Sequence, residues 1–203
     1  MNSADTISLE TAILVGGRSR RMGRDKAMIH VNGEVLWQRQ ARLAKEAGAL
    51  RVFVSVRPDQ DIEGAAVERV ADARADLGPL SGIAASLAAC TSTHLMILAV
   101  DMPALTAGIL REILVHCELG FGVIPHTGGA PQPLAAVYTR DCLAPAERRL
   151  AEGALSVRAW AAECLRSAHC VRWDVPEPDV PLFANWNSPE DVPRAAATKN
   201  PIS

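Results

Sequence analysis

TAILVGGRSRRMGRDK, Thr11 to Lys26, is the stretch that decides the fold. Its first five residues are apolar or β-branched and stop at Gly16-Gly17, the pattern of a buried strand running into a glycine turn. Arg18, Arg20, Arg21, Arg24 and Lys26 then place five cations in nine residues. Glycines at the carboxyl end of a first strand leave backbone N–H groups free to face an anion, so this segment reads as a polyphosphate environment. It is no Walker A loop, because Gly23 is followed by Arg24 and Gly-Lys-Ser/Thr does not occur. The G-x-G-x-x-G spacing of a dinucleotide fold is missing too. A merely solvated basic loop would share the charge but not the strand, the double glycine and the closing lysine.

Outward from this strand, the chain alternates helices and strands. Leu36, Trp37, Ala41, Leu43, Ala44 and Ala47 fall at helical spacing before Gly48, and Arg51 to Val56 follows as a strand, with a shorter one at Val67 to Ala71. Pro79 opens a helix with one stripe of Leu80, Ile83, Ala84, Leu87 and Ala88. His94 to Val100 is the clearest strand and runs straight into Asp101-Met102-Pro103. Thr106 caps a helix reaching about Glu118, and Gly122 to Pro125 and Pro133 to Tyr138 are strands. Helices over about Asp141 to Ala151 and Ser156 to Leu165 precede a short strand at Cys170 to Trp173, a connector from Pro176 to Pro181 and a frayed tail at 195–203. This order predicts one α/β domain: a doubly wound, mostly parallel, Rossmann-like sheet with helices on both faces.

Composition bounds the function. With 49% hydrophobic and 22% charged residues in 203, the chain is globular, and its 4% aromatic content predicts a core of Ala, Val, Leu and Ile. The net charge of −2 gives no footprint for nucleic acid; the basic loop is a phosphate-sized positive site on an otherwise acidic body. No apolar run approaches the length of about 20 residues that spans a bilayer. Met1 to Glu10 carries two acids and no basic segment, so a cytoplasmic location without membrane attachment is expected. Five widely spaced cysteines, Cys90, Cys117, Cys142, Cys164 and Cys170, without a C-x-x-C pair read as buried, reduced and structural.

Several residues could carry chemistry. Asp101, at the carboxyl end of a buried strand, is placed to hold Mg²⁺ against substrate phosphates, although a turn or helix N-cap before Pro103 is its plainer use. Asp72 could accept hydrogen bonds from a base or ribose, or form a surface Asx turn. Gly78 and Gly82 bracket a first helical turn, permitting a close approach either of a nucleotide or of helix to sheet. His30, His94 and His116 read as structural, and His126, in a glycine-rich loop, as a weak candidate for lining a cleft. Ser19 has no His or Asp partner and no G-x-S-x-G elbow, so acyl transfer is unsupported.

L-V-G-G-x-S-x-R-M-G-x-D-K-A, from Leu14 to Ala27, resembles the signature of the MobA-type nucleotidyltransferases, the family of the molybdenum cofactor guanylyltransferases. Asp72 with Leu77-Gly78-Pro79-Leu80-Ser81-Gly82, then Leu98-Ala99-Val100-Asp101-Met102-Pro103, are similar to its acidic residue, its G-P-L-x-G turn and its metal-binding strand end. Gln132-Pro133-Leu134 and Asn185-Trp186-Asn187-Ser188-Pro189-Glu190-Asp191 resemble its acceptor-side elements. The resemblance implies transfer of GMP from GTP to molybdenum-loaded molybdopterin, with pyrophosphate released and Mg²⁺ held by Asp101. It implies nucleotide contacts from Leu14, Val15, Gly16, Gly17, Lys26, Ser55, Asp72, Gly78, Gly82 and Asp101, phosphate neutralisation by Lys26, Arg21 and Arg20, and acceptor contacts from Gln132, Asn185 and Asn187. On that reading residues of about 10–104 bind nucleotide, those of about 105–194 bind the acceptor, and a cofactor-receiving protein makes a transient contact.

One position departs from the family. Ser55-Val56-Arg57 stands where the guanylyl enzymes carry an Asn, and a serine cannot offer both ends of an amide to guanine. A cytidylyltransferase acting on the same pterin is therefore the nearest rival, against which Val15-Gly16-Gly17 stands in place of Ala-Ala-Gly. A sugar- or polyol-phosphate nucleotidyltransferase of the same fold comes next. A non-catalytic nucleotide sensor would be expected to lack Asp101 or Lys26, and both are present.

Overall fold

The computed structural model describes residues 6–15, 26–31, 33–58, 60, 62, 67–72, 74 and 77–186. In chain order the strands and helices are β1 (Leu9–Leu14), β2 (His30–Val31), β3 (Glu34–Val35), α1 (Leu36–Glu46), β4 (Arg51–Val56), β5 (Glu68–Ala71), α2 (Pro79–Ala89), β6 (His94–Ala99), α3 (Ala107–Val115), β7 (Gly122–Thr127), β8 (Ala130–Pro131), β9 (Ala135–Thr139), α4 (Leu143–Ala151), α5 (Val157–Arg166) and β10 (Cys170–Asp174). Among the described residues eight strands share one sheet, in the order β5-β4-β1-β6-β9-β7-β10, with β8 paired to β7. β5, β4, β1 and β6 run parallel, β10 is parallel to β7, and β9 is antiparallel to both its neighbours. The expected mostly parallel sheet is thus present, with β9 and the two-residue β8 reversed. The cause is local. Gly128 (φ 55°) and Gly129 (φ 79°) turn β7 back into β8, and Gln132-Pro133-Leu134 leads on to β9 without the helix a parallel crossover needs.

β1 is buried along its whole length, so its side chains must satisfy both faces. Ala12 and Leu14 pack with Leu80, Ile83 and Leu87 of α2, and α4 and α5 extend that layer. Ile13 and Val15 pack with Leu36, Trp37 and Ala41 of α1, while α3 covers the neighbouring part of the same face. The core is less aliphatic than composition suggests. Tyr138 and Trp160 are fully buried with ring centroids 4.6 Å apart, and each has its polar atom satisfied, Tyr138 by donating to Pro133 O (2.8 Å) and Trp160 by donating to Cys142 O (3.2 Å).

Element boundaries follow the expectations with local differences. Thr106 Oγ1 accepts from Ile109 N and caps α3, and Ser156 Oγ caps α5 by accepting from Ala159 N. A 3-10 turn at Arg140–Cys142 precedes α4. The connector from Pro176 to Pro181 is the 3-10 helix Glu177–Phe183, ordered by burial of Phe183. His126 is no loop residue: it lies in β7 and is buried, because the chain keeps pairing through it with Asp174 and Pro131. All five cysteines are buried, and burial pushes the Cys90 thiol up to about 11 and that of Cys117 up to about 12, so neither supplies a thiolate near neutral pH. Among the described residues no helix is long and apolar enough to cross a membrane.

At the amino ends of the parallel strands Glu10 is buried and fully engaged. Its Oε1 accepts from Thr91 Oγ1 (2.6 Å), Thr91 N (3.2 Å) and Ser92 N (3.1 Å), and its Oε2 from Arg51 Nη1 (2.8 Å). Burial alone would raise the Glu10 pKa, but the Thr91 bonds and the Arg51 charge outweigh it and hold the carboxyl below its usual range. A depressed folded pKa stabilises the fold above the unfolded value near 4.5, and that stability is lost as pH falls through the folded pKa. Glu10→Gln should cost about 2 kcal/mol near neutral pH. Urea unfolding should show the gap to wild type closing as pH falls below 4.5.

Gly122 tests the packing independently. A Cβ there would stand 2.2 Å from Val137 O, 2.9 Å from Tyr138 Cα and 3.0 Å from Cys170 Sγ, and two of these are backbone atoms. Gly122→Ala should therefore destabilise by about 2–4 kcal/mol. In Gly108→Ala the new methyl meets only Thr106 Oγ1 at 3.6 Å, so that change should stabilise the exposed face of α3 by roughly 0.5–1 kcal/mol in the same unfolding assay.

Candidate active site

The chain passes from β1 to β4 and β5 on one side, then crosses back to β6 on the other. This reversal opens a crevice at the carboxyl ends of β1, β4 and β6, where ligands of open α/β sheets bind. Register brings these ends level: Leu14 pairs with Ser55 on one side and with Ala99 on the other. Val15 N donates to Ser55 O (3.3 Å), so the end of β1 is fixed to β4. Gln60 completes the junction. Its Nε2 donates to Val15 O (3.2 Å) while its Oε1 accepts from Arg57 N (3.3 Å). Sequence reasoning missed Gln60, a buried glutamine whose loop position belongs to no pattern.

Leu14, Ser55, Asp72 and Gly82 converge on one space. A Cβ added to Gly82 would stand 2.8 Å from Ser55 Oγ, 3.7 Å from Leu14 Cδ2 and 3.9 Å from Asp72 Oδ2. Gly82 thus serves close helix-to-sheet packing and also leaves two polar oxygens facing a single point. Gly78 lies one turn earlier at the exposed N-cap of α2, where φ 77° with ψ −169° is a conformation suited to glycine. Asp72 does form the Asx turn, its Oδ1 accepting from Arg74 N (2.9 Å), but it is buried and not on the surface. The cause is Ser81, whose Oγ donates to the same Oδ1.

Across the crevice, Asp101 follows β6 in a turn held from three directions. Asp101 O accepts from Trp186 N (2.8 Å), Met102 O from the buried Gln40 Nε2 (2.9 Å), and Leu105 O from Arg39 Nη2 (2.8 Å). Asp101 is not the cap of α3, since Thr106 holds that role, and its Oδ1 is shielded from solvent. Leu134 O accepts from Ala99 N (2.8 Å), which brings Gln132-Pro133-Leu134 beside this turn. Gln132 is half-buried and its Nε2 donates to Thr127 Oγ1 (2.5 Å). Asn185 is exposed next to Trp186. Lys26 opens a 3-10 turn, Lys26–Met28. Gly16, Gly17, Arg20, Arg21, Asn187 and the tail 195–203 lie outside the described residues.

A crevice bordered by Asp72, Asp101 and Gly82 at the ends of parallel strands, in a chain whose sequence continues from β1 into a glycine- and arginine-rich segment, defines a class: the nucleotidyltransferases. The model of the MobA-like NTP transferase domain matches residues 11–169, and the chain belongs to that family. It is 41% identical over 195 residues to a probable molybdenum cofactor guanylyltransferase of Opitutus terrae, covering 95% of this chain and 96% of that protein. It is 34% identical to the molybdenum cofactor guanylyltransferase of Xanthomonas euvesicatoria, over 90% and 91% of the two chains. The fold is similar to that of molybdopterin-guanine dinucleotide biosynthesis protein A from Archaeoglobus fulgidus, with a TM-score of 0.72 and 23% identity over 93% of this chain and 97% of that one.

Filling the point of convergence is a direct test of the crevice. In Gly82→Ala the new methyl must push the Ser55 hydroxyl aside, a small rotation for the fold but a loss of the space between Ser55 and Asp72. Nucleoside triphosphate affinity by calorimetry should fall about tenfold while the unfolding free energy changes by less than about 1 kcal/mol.

Proposed function

We propose that the protein transfers GMP from GTP to molybdenum-loaded molybdopterin, forming the guanine dinucleotide and releasing pyrophosphate. The observation that carries this reading is the 41% identity to a probable guanylyltransferase across nearly the whole of both chains. The reaction is an in-line displacement. An oxygen of the acceptor's terminal phosphate bonds to the α-phosphorus of GTP as the bond from that phosphorus to the bridging oxygen of pyrophosphate breaks. The acceptor phosphate is already ionised near neutral pH, so no strong base is required. The protein's task is to bring anions together and to offset charge on the leaving group.

The residues fit those tasks. The backbone of Leu14, Val15, Gly16 and Gly17 faces the nucleotide, Lys26 serves the α-phosphate, and Arg21 with Arg20 serves the outer phosphates. Ser55, Asp72, Gly78 and Gly82 form the base side, and Gln132, Asn185 and Asn187 the acceptor side. Asp101 offers a hard carboxylate donor at the strand end, and among the described residues no three His, Cys, Asp or Glu gather into a cage. That donor set suits Mg²⁺, which takes one or two carboxylates and completes its shell with phosphate oxygens and water. When bound, the ion supplies charge neutralisation for the phosphates. The reaction is proposed to run in the cytoplasm, with a passing contact to the protein that receives the cofactor.

The test supplies purified protein with Mg²⁺, molybdenum-loaded molybdopterin and either GTP or CTP. Mass spectrometry should detect the guanine dinucleotide, with pyrophosphate in equal amount. A cytosine dinucleotide in its place would establish the pterin cytidylyltransferase instead, and no dinucleotide from either would refute the reading. Asp101→Ala should lower turnover with GTP by about 100-fold or more.

A further inference from the structure

Asp72 carries two oxygens with different employment. Oδ1 accepts from Arg74 N and from Ser81 Oγ, so the protein saturates it. Oδ2 is turned the other way, toward the space that Gly82 leaves open and that Ser55 Oγ borders. The Arg74 contact comes from the next turn of the same loop and follows the Asp72 backbone wherever it goes. Ser81 is different. It is buried in the first turn of α2, and its hydroxyl joins the carboxylate to the helix that forms the wall of the crevice. On the other flank of α2, between that helix and α4, lies a cavity of about 470 Å³ lined by Asp72, Arg74, Ser81, Ala85, Ala88 and Glu147. It offers the carboxylate an alternative: room to rotate and the Arg74 side chain on its wall. Among the described residues, the Ser81 hydroxyl is the side-chain donor that opposes that rotation.

We infer that Ser81 is a positioning residue for base selection: by holding Asp72 Oδ1, it keeps Oδ2 aimed into the crevice as the acceptor for a base N–H. The inference rests on the proposed guanylyltransferase reading, and adds to it a residue whose own side chain does not meet the nucleotide. A carboxylate with one oxygen committed presents a single acceptor at a fixed point. Guanine carries a 2-amino group that hypoxanthine lacks, and both share the ring N–H, so Oδ2 as acceptor for the amino N–H separates the two bases.

The experiment measures binding of GTP, ITP and CTP to the purified full chain by calorimetry, and steady-state turnover with GTP, for wild type, Ser81→Ala, Asp72→Asn and the double variant. Ser81→Ala should weaken GTP binding about tenfold, weaken ITP binding much less and place the loss in KM instead of kcat. In the Asp72→Asn background, Ser81→Ala should change the GTP-to-ITP ratio no further. Equal losses for all three nucleotides, an unchanged ratio, or an equal effect of Ser81→Ala in both backgrounds would overturn the inference. Thermal melts identify a variant that has lost its fold, and in that case Ser81→Thr, which keeps the hydroxyl, must retain the wild-type ratio or the inference fails. Failure of the functional reading is distinct: wild type itself would then prefer CTP or bind none of the three.

Discussion

Glu10 is a buried carboxylate, and the parallel half of the sheet is assembled around it. Its partners come from the turn before β6, through Thr91 and Ser92, and from β4, through Arg51. Arg51 reaches on to Glu68 of β5 and lies 4.8 Å over the Phe53 ring. One charge and its counter-charges therefore join all four parallel strands at their amino ends. A slip of one residue in any of them would separate these groups and turn every core side chain to the opposite face, so the register is strongly specified. Four residues further along β1, about 13 Å at the rise of a strand, the other ends come level at Leu14, Ser55 and Ala99. The site is positioned from the edge opposite to it.

That division explains what could be read from the chain alone. β1, β4, β6 and the helix opening at Pro79 announce themselves because burial on two faces demands unbroken apolar runs, and because proline and glycine punctuate them. Asp101 and Gly82 stand out because they interrupt such a pattern at its end. Gln40, Gln60, Ser81 and Glu10 gave no signal. Each is a polar residue whose value lies in a partner distant in sequence: Met102 O for Gln40, Val15 O for Gln60, Asp72 for Ser81 and Arg51 for Glu10. In the sequence Glu10 counted only as one of the two acids between Met1 and Glu10. Periodicity reports which face of an element is buried; it carries nothing about polar pairs that form across elements.

Two misreadings have the same origin. The low aromatic content suggested an aliphatic core, yet Tyr138 and Trp160 occupy its centre, since a residue count is blind to where the few aromatics go. His126 reads as a loop residue because Gly128 and Gly129 follow it, but those glycines make a two-residue hairpin, and a tight hairpin lets pairing continue almost to the turn. The reversed strand β9 follows from that hairpin. It also has a use, for a strand entering the sheet beside β6 from its carboxyl end begins at the crevice and so brings Gln132-Pro133-Leu134 there.

The two halves of the crevice are consequently held by different means. Where α2 meets the sheet, Ser55, Asp72 and Gly82 pack closely because helix, strand and loop interlock through short side chains. At the end of β6, the Asp101 turn is held by backbone carbonyls accepting from Gln40, Arg39 and Trp186. The proposed transfer between two polyanions suits this arrangement. The nucleotide must be selected by shape and hydrogen bonding before reaction, whereas the reacting phosphates need cations and hard oxygen donors placed beforehand and no nucleophile from the protein. The buried thiols of Cys90 and Cys117, pushed well above neutrality, and His94, whose ring nitrogens bond Thr93 Oγ1 and the carbonyls of Glu118 and Phe121, are consistent with that division, serving the fold and leaving the chemistry to the strand ends.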